Sequence, residues 1–106
     1  VSENRVVFFL TKLGSEELRD EYETWVREVD TPGSIALPGI ASYRVVRLEE
    51  PVMEGVEVTS YSYIEIIEIT DLALYQESIG SLPPSFFEQF RTYISGFDAV
   101  AGSFIN

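Results

Sequence analysis

Apolar residues recur along this chain in two different rhythms. Between Arg5 and Thr11 they run unbroken as Val6-Val7-Phe8-Phe9-Leu10, which predicts a strand covered on both faces. The spacing then turns helical. Ser15 stands as an N-cap, with Glu16 and Glu17 at the positive end of the helix dipole. Leu18, Tyr22, Trp25 and Val29 fall on one apolar stripe, and Arg19, Glu23 and Arg27 take the opposite face. Asp30-Thr31-Pro32-Gly33 predicts the end of that helix, because Pro32 lacks an N–H and restricts Thr31.

Two stretches rich in β-branched and aromatic residues predict strands over about Ile40–Glu49 and Thr59–Ile69. Glu54-Gly55 between them suits a tight turn. Asp71 can cap a short helix with Leu72, Tyr75 and Ile79 on one face and Gly80 at its end. Pro83-Pro84 opens another helix, with Phe86, Phe87, Phe90 and Ile94 apolar, and Phe97–Ile105 predicts a last strand. The order is β-α-β-β-α-β in one domain over residues 1–106. That is an α+β, ferredoxin-like pattern, an antiparallel sheet with helices on one face. Alternation puts Ile64 and Ile66 on one sheet face and Ile67 and Ile69 on the other. Soluble monomers rarely expose so apolar a face, so a homodimer packing sheet against sheet is expected.

Charge narrows the partners. Lys and Arg total 7 against 18 Asp and Glu, a net charge of −11. Such a chain repels nucleic acid and anionic membranes, both of which are bound through basic patches. A neutral or cationic small molecule, or another protein, remains. There are no cysteines and no histidines, which excludes disulfides, thiol chemistry, structural zinc and any histidine-based triad. No loop has EF-hand spacing and no glycine cluster could cradle a phosphate, so no metal or cofactor is expected. No apolar run approaches the roughly 20 residues of a membrane span, and Val6–Leu10 is too short for a signal peptide. A cytoplasmic protein is expected.

Candidate chemistry lies in the second and third strands. A hairpin centred on Glu54-Gly55 puts Arg44 across from Glu65, Val46 across from Tyr63 and Leu48 across from Tyr61. Glu65 sits among isoleucines, where an unpaired charge costs several kcal/mol or is neutralised. It is then either a general acid or base tuned by Arg44, or one half of a structural ion pair. Asp30, at a helix end where its charge opposes the dipole, either points into a pocket to orient a substrate N–H or bonds the broken backbone of residues 31–33. Trp25, Tyr43, Tyr61, Tyr63 and Phe97 offer flat surfaces to an aromatic ligand. For Trp25 and Phe97 ordinary core packing is the competing reading.

The stretches Val6-Val7-Phe8-Phe9-Leu10, Tyr22-Glu23-Thr24-Trp25-Val26-Arg27-Glu28-Val29-Asp30-Thr31-Pro32, Ser42-Tyr43-Arg44-Val45 and Tyr63-Ile64-Glu65-Ile66 resemble the dimeric α+β-barrel superfamily. More narrowly they resemble the RedY-like proteins of prodigiosin-type red pigment biosynthesis. The resemblance implies a homodimeric, cofactor-free protein acting on a pyrrole-type intermediate by cyclisation, dehydration or tautomerisation. It equally admits a non-catalytic accessory that holds the intermediate or steadies an enzyme of the pathway. A cofactor-independent monooxygenase is a third reading, taken from the wider superfamily. Relatives there often use a pocket histidine, which this chain lacks.

Overall fold

Four strands, β1 (Arg5–Leu13), β2 (Ile40–Arg47), β3 (Tyr63–Ile69) and β4 (Ile94–Ser103), make one antiparallel sheet in the order β2-β3-β1-β4. They are seen in a computed structural model that describes residues 5–106. Between β1 and β2 run a 3-10 turn (Glu16–Leu18), α1 (Arg19–Trp25), a π-helical turn (Val26–Asp30) and α2 (Thr31–Ile35). Between β3 and β4 lie α3 (Leu72–Gly80) and α4 (Pro84–Tyr93). The expected α+β, ferredoxin-like order holds.

The first helix does not end where its proline predicts. The Thr31 N–H reaches back five residues to the Val26 carbonyl, widening one turn, so that Pro32 falls in the first turn of α2, where no N–H is needed. The widened turn re-aims every side chain after it. Val29, expected on the buried stripe, is exposed, and Asp30 is buried in its place. The last strand also departs from its expected span. Ile94, expected on the helix, already pairs with Leu13 as the first residue of β4.

Strand register departs from the hairpin expectation by one residue. Val45 lies across from Glu65, Arg44 across from Ile66, Val46 across from Ile64, and Arg47 across from Tyr63. A turn does form at Glu54-Gly55, with Gly55 at φ +86° and the Val56 N–H bonded to the Met53 carbonyl. It is only the tip of a long connection, because the β2–β3 ladder stops at Arg47 and Tyr63. A turn that far from the ladder cannot set the register. Burial sets it instead, since a one-residue slip would swap the two faces.

The row Val45, Glu65, Phe9, Ala99 therefore points toward the helices, and the next row, Arg44, Ile66, Phe8, Val100, points away. Two apolar clusters fill the helix side. Tyr22, Trp25, Val26, Tyr63, Phe90 and Tyr93 form one, and Val7, Tyr43, Ile67, Ile69 and Tyr75 form the other. Each large side chain so buried contributes about 1.5–3 kcal/mol.

Candidate functional site

β2 and β3 hold Tyr43 and Glu65 side by side on the inward face, and the π-helical turn carries Asp30 to them. The Tyr43 hydroxyl bonds Asp30 Oδ2 at 2.5 Å and also bonds Glu65 Oε1. Ser34, one turn on in α2, donates to Asp30 Oδ1 at 3.2 Å. A phenol has a single proton to donate, so its second contact requires a proton from a carboxylic acid. Asp30, Tyr43 and Glu65 are only 3%, 7% and 4% exposed, which excludes bulk water as the source.

The surroundings decide which carboxyl keeps that proton. Burial pushes Glu65 up to about 8, and the negative charge of Asp30 adds to the rise. Burial raises Asp30 as well, but the hydroxyls of Tyr43 and Ser34 stabilise its charged form and pull it back. Both carboxyls are pushed toward the acid form, Glu65 with the charge of Asp30 adding to its burial and Asp30 with two hydroxyls favouring its charge. Tyr43 stays a phenol, held above its ordinary value first by burial and then by the two carboxyls.

This triad lies in the wall of a pocket between the sheet and helices α2, α3 and α4, with a cavity volume of about 70 Å³. A water needs roughly 10–15 Å³ by the same measure, so the space suits a group of about five heavy atoms. Phe9, Ile67, Tyr75, Phe87 and Phe90 give it apolar and aromatic walls, and Arg91 is the one cation lining it. The carboxyls are thus the polar feature of an otherwise greasy hollow. Among the described residues no group of three or more acidic, histidine or cysteine side chains could hold a metal ion.

The residues singled out from sequence separate into two sets. Glu65, Asp30, Tyr43 and Phe97 come together around the pocket. Phe97, 44% exposed, sits against Phe9 and Phe90 at ring-centroid distances of 5.9 and 5.8 Å. Asp30 does not cap the backbone of α2; its bonds go to side chains. Arg44 is corrected most sharply, because the register puts it on the opposite sheet face, exposed and unable to pair with Glu65. Trp25 packs inside the aromatic cluster, stacked on Phe90 with centroids 6.1 Å apart.

Tyr63 and Tyr61 also lie outside the pocket. The Tyr63 hydroxyl donates to Glu23 at 2.7 Å and accepts from Arg19 at 2.9 Å. Glu23 is the hub of a network that includes Arg47 at 2.5 Å and Arg27 at 3.2 Å, and these cations hold it down to about 2. The network ties α1 to the edge strand β2. Tyr61 bonds Asp98 and lies under the Lys12 ammonium. Two pocket residues escaped the sequence reading. Ser34 carries no motif, and Tyr75 reads as one more apolar position on its helix face.

A family model described as REDY-like protein HapK matches residues 5–105. Among curated proteins none matches the chain. Solved structures do. HapK from Hahella chejuensis is 21% identical, with 96% of this chain and 93% of that chain covered and a TM-score of 0.74. SnoaB, a cofactor-independent oxygenase from Streptomyces nogalater, is 18% identical, with coverage of 97% and 95% and a TM-score of 0.65. A dimeric ferredoxin-like protein of unknown function from Thermobifida fusca is 11% identical, with coverage of 94% and 90% and a TM-score of 0.60. At these identities the likeness establishes the fold.

Proposed function

This chain belongs to the REDY-like HapK family, and we propose from that premise that it binds a pyrrole-type biosynthetic intermediate and moves protons on it without a cofactor. One observation carries the reading: Tyr43 bonds two buried carboxyl groups at once, so the carboxyl pair shares one exchangeable proton beside an apolar pocket. In such a site Asp30 takes a proton from one ring position, an N–H or an acidified C–H, while Glu65 delivers one to another, a ring carbon or its oxygen. The ring leaves as its tautomer. The proton on Asp30 then returns through the Tyr43 hydroxyl to Glu65, and the site is reset with nothing consumed. Dehydration or cyclisation of a pyrrole-type compound would draw on the same acid and the same base. Aromatic walls exclude water and so preserve the unequal affinities of the two carboxyls.

The same reading pairs two copies through the open sheet face. Phe8, Leu10, Ile64 and Ile66 are only half-buried there, and Val46 and Val100 are 40% and 56% exposed. The dimeric neighbour supports this by its shared fold. Localisation in the cytoplasm fits the absence, among the described residues, of a helix long and apolar enough to cross a membrane.

Deuterium uptake tests the chemistry. 3-Pyrrolin-2-one in D2O exchanges at C5 through its hydroxypyrrole tautomer, and the protein is expected to accelerate that exchange. Glu65→Gln is expected to abolish the acceleration. An exchange rate indifferent to the protein would end the catalytic reading, and retained binding without exchange would favour an accessory that holds the intermediate. Exposed Val52, Met53, Val56 and Val58 in the β2–β3 connection are the feature that suits such an accessory to a protein partner. Oxygen consumption with turnover would instead favour a cofactor-independent monooxygenase; one neighbour of the fold is named a cofactor-independent oxygenase.

A further inference from the structure

Tyr75 enters the pocket from α3, an element that carries none of the proton-sharing triad. It is 5% exposed, and its hydroxyl is buried without a hydrogen-bond partner inside the protein. Among the described residues it is the one buried polar group of the pocket lining left in that state. A buried hydroxyl with no partner costs about 1–3 kcal/mol, and such a group in a native fold asks what else satisfies it.

Its position is built into the fold. Gly39 at φ +91° lets the chain entering β2 pass so close to α3 that an added Cβ would lie 3.1 Å from the Tyr75 N–H nitrogen. Asp71 caps α3 by accepting from the Leu74 N–H at 2.7 Å. Helix end and helix flank are both pinned, so the phenol is aimed. Burial, then the neighbouring carboxyl groups of Glu65 and Asp30, keep it protonated. Tyr75 thus brings a buried donor to the lining of the same hollow that holds Asp30, a carboxylate that can only accept.

We propose that Tyr75 is a positioning residue that donates a hydrogen bond to an acceptor oxygen on the ligand while Asp30 receives the ligand's N–H. The ligand class this defines is a small planar five-membered ring carrying both an N–H and a carbonyl, a lactam of the pyrrolinone type. The inference rests on the pyrrole reading above and narrows it, since a ring with an N–H alone would leave the Tyr75 hydroxyl unmet.

Tyr75→Phe removes that hydroxyl and nothing else. Binding of 3-pyrrolin-2-one, and of pyrrole, which has the N–H but no oxygen, is followed by NMR titration at pH 7 for wild type and variant. The expected result is about ten-fold weaker lactam binding in the variant, the loss of one hydrogen bond, with pyrrole binding unchanged. Equal lactam affinity in both proteins overturns the role of Tyr75 and leaves the pyrrole reading standing. An equal loss for both probes makes Tyr75 a packing residue and overturns it too. A wild type that binds neither probe overturns the pyrrole reading, and the anchor falls with it. Without ligand, Tyr75→Phe is expected to unfold at the same or a higher temperature. A lower one would mean that the hydroxyl already has a partner in the fold, which again sinks the proposal.

Discussion

A carboxyl group at mid-sheet has no water to stabilise its charge, and Glu65 takes up a proton instead. In the unfolded chain it titrates near its ordinary 4.5, and in the fold near 8. The folded state thus binds the extra proton between those values, so stability is greatest below about pH 4.5 and declines as pH rises toward 8. Asp30 is raised in the same direction. Glu23, held down to about 2, acts the other way but only as pH falls below 4.5. Urea unfolding at pH 5 and pH 8.5 is expected to differ by about 3–5 kcal/mol. Glu65→Gln should flatten that difference, and a slope surviving in the variant would point to another group. That Glu65 is buried was legible in Ile64-Glu65-Ile66-Ile67. Its partners were not, because they depend on a strand register that no nearby turn enforces.

At the scale of elements, the π-helical turn and Gly39 do the placing. An uninterrupted helix rotates about 100° per residue, so the widened turn exchanges Val29 for Asp30 at the buried position. Pro32 was the visible signal, read as a stop when it marks a local widening. Gly39 was unremarkable as sequence, yet its positive φ and its tight contact with α3 make it hard to replace. Gly39→Ala is expected to cost about 1–3 kcal/mol in thermal or urea unfolding, from the left-handed backbone and the displaced helix. A neutral effect would mean that α3 is not held there. The starts of α3 and α4 were readable. The Asp71 cap and the proline start of α4 appear where local chemistry puts them.

For the whole molecule, the consequential fact is a sheet with one face on its helices and one open. Phe8, Ile66 and Val100 stand in one row of that open face with Arg44 at its end. A second copy would cover them and take Arg44 into the interface, a role far from the pocket chemistry first assigned to it. Sedimentation of the wild type at micromolar concentration is expected to give a dimer. Phe8→Asp, which sets a charge in the middle of the patch, should give a monomer that keeps its pH-dependent stability, because the triad is on the other face. A wild-type monomer would leave the open face without the occupant proposed for it.

The chain's own pattern determined the element order, the α+β class, the apolar character of both sheet faces and the buried carboxyl at position 65. Each follows from periodicity or local backbone preference, which act over a few residues and need no knowledge of the rest. Only the tertiary structure decided that Tyr43 and Asp30, rather than Arg44, meet Glu65, and that Tyr75 joins them. Those contacts join side chains up to about forty residues apart on β2, β3, α3 and the π-helical turn. One residue of slip would undo them, and burial over the whole sheet, not any short motif, excludes that slip.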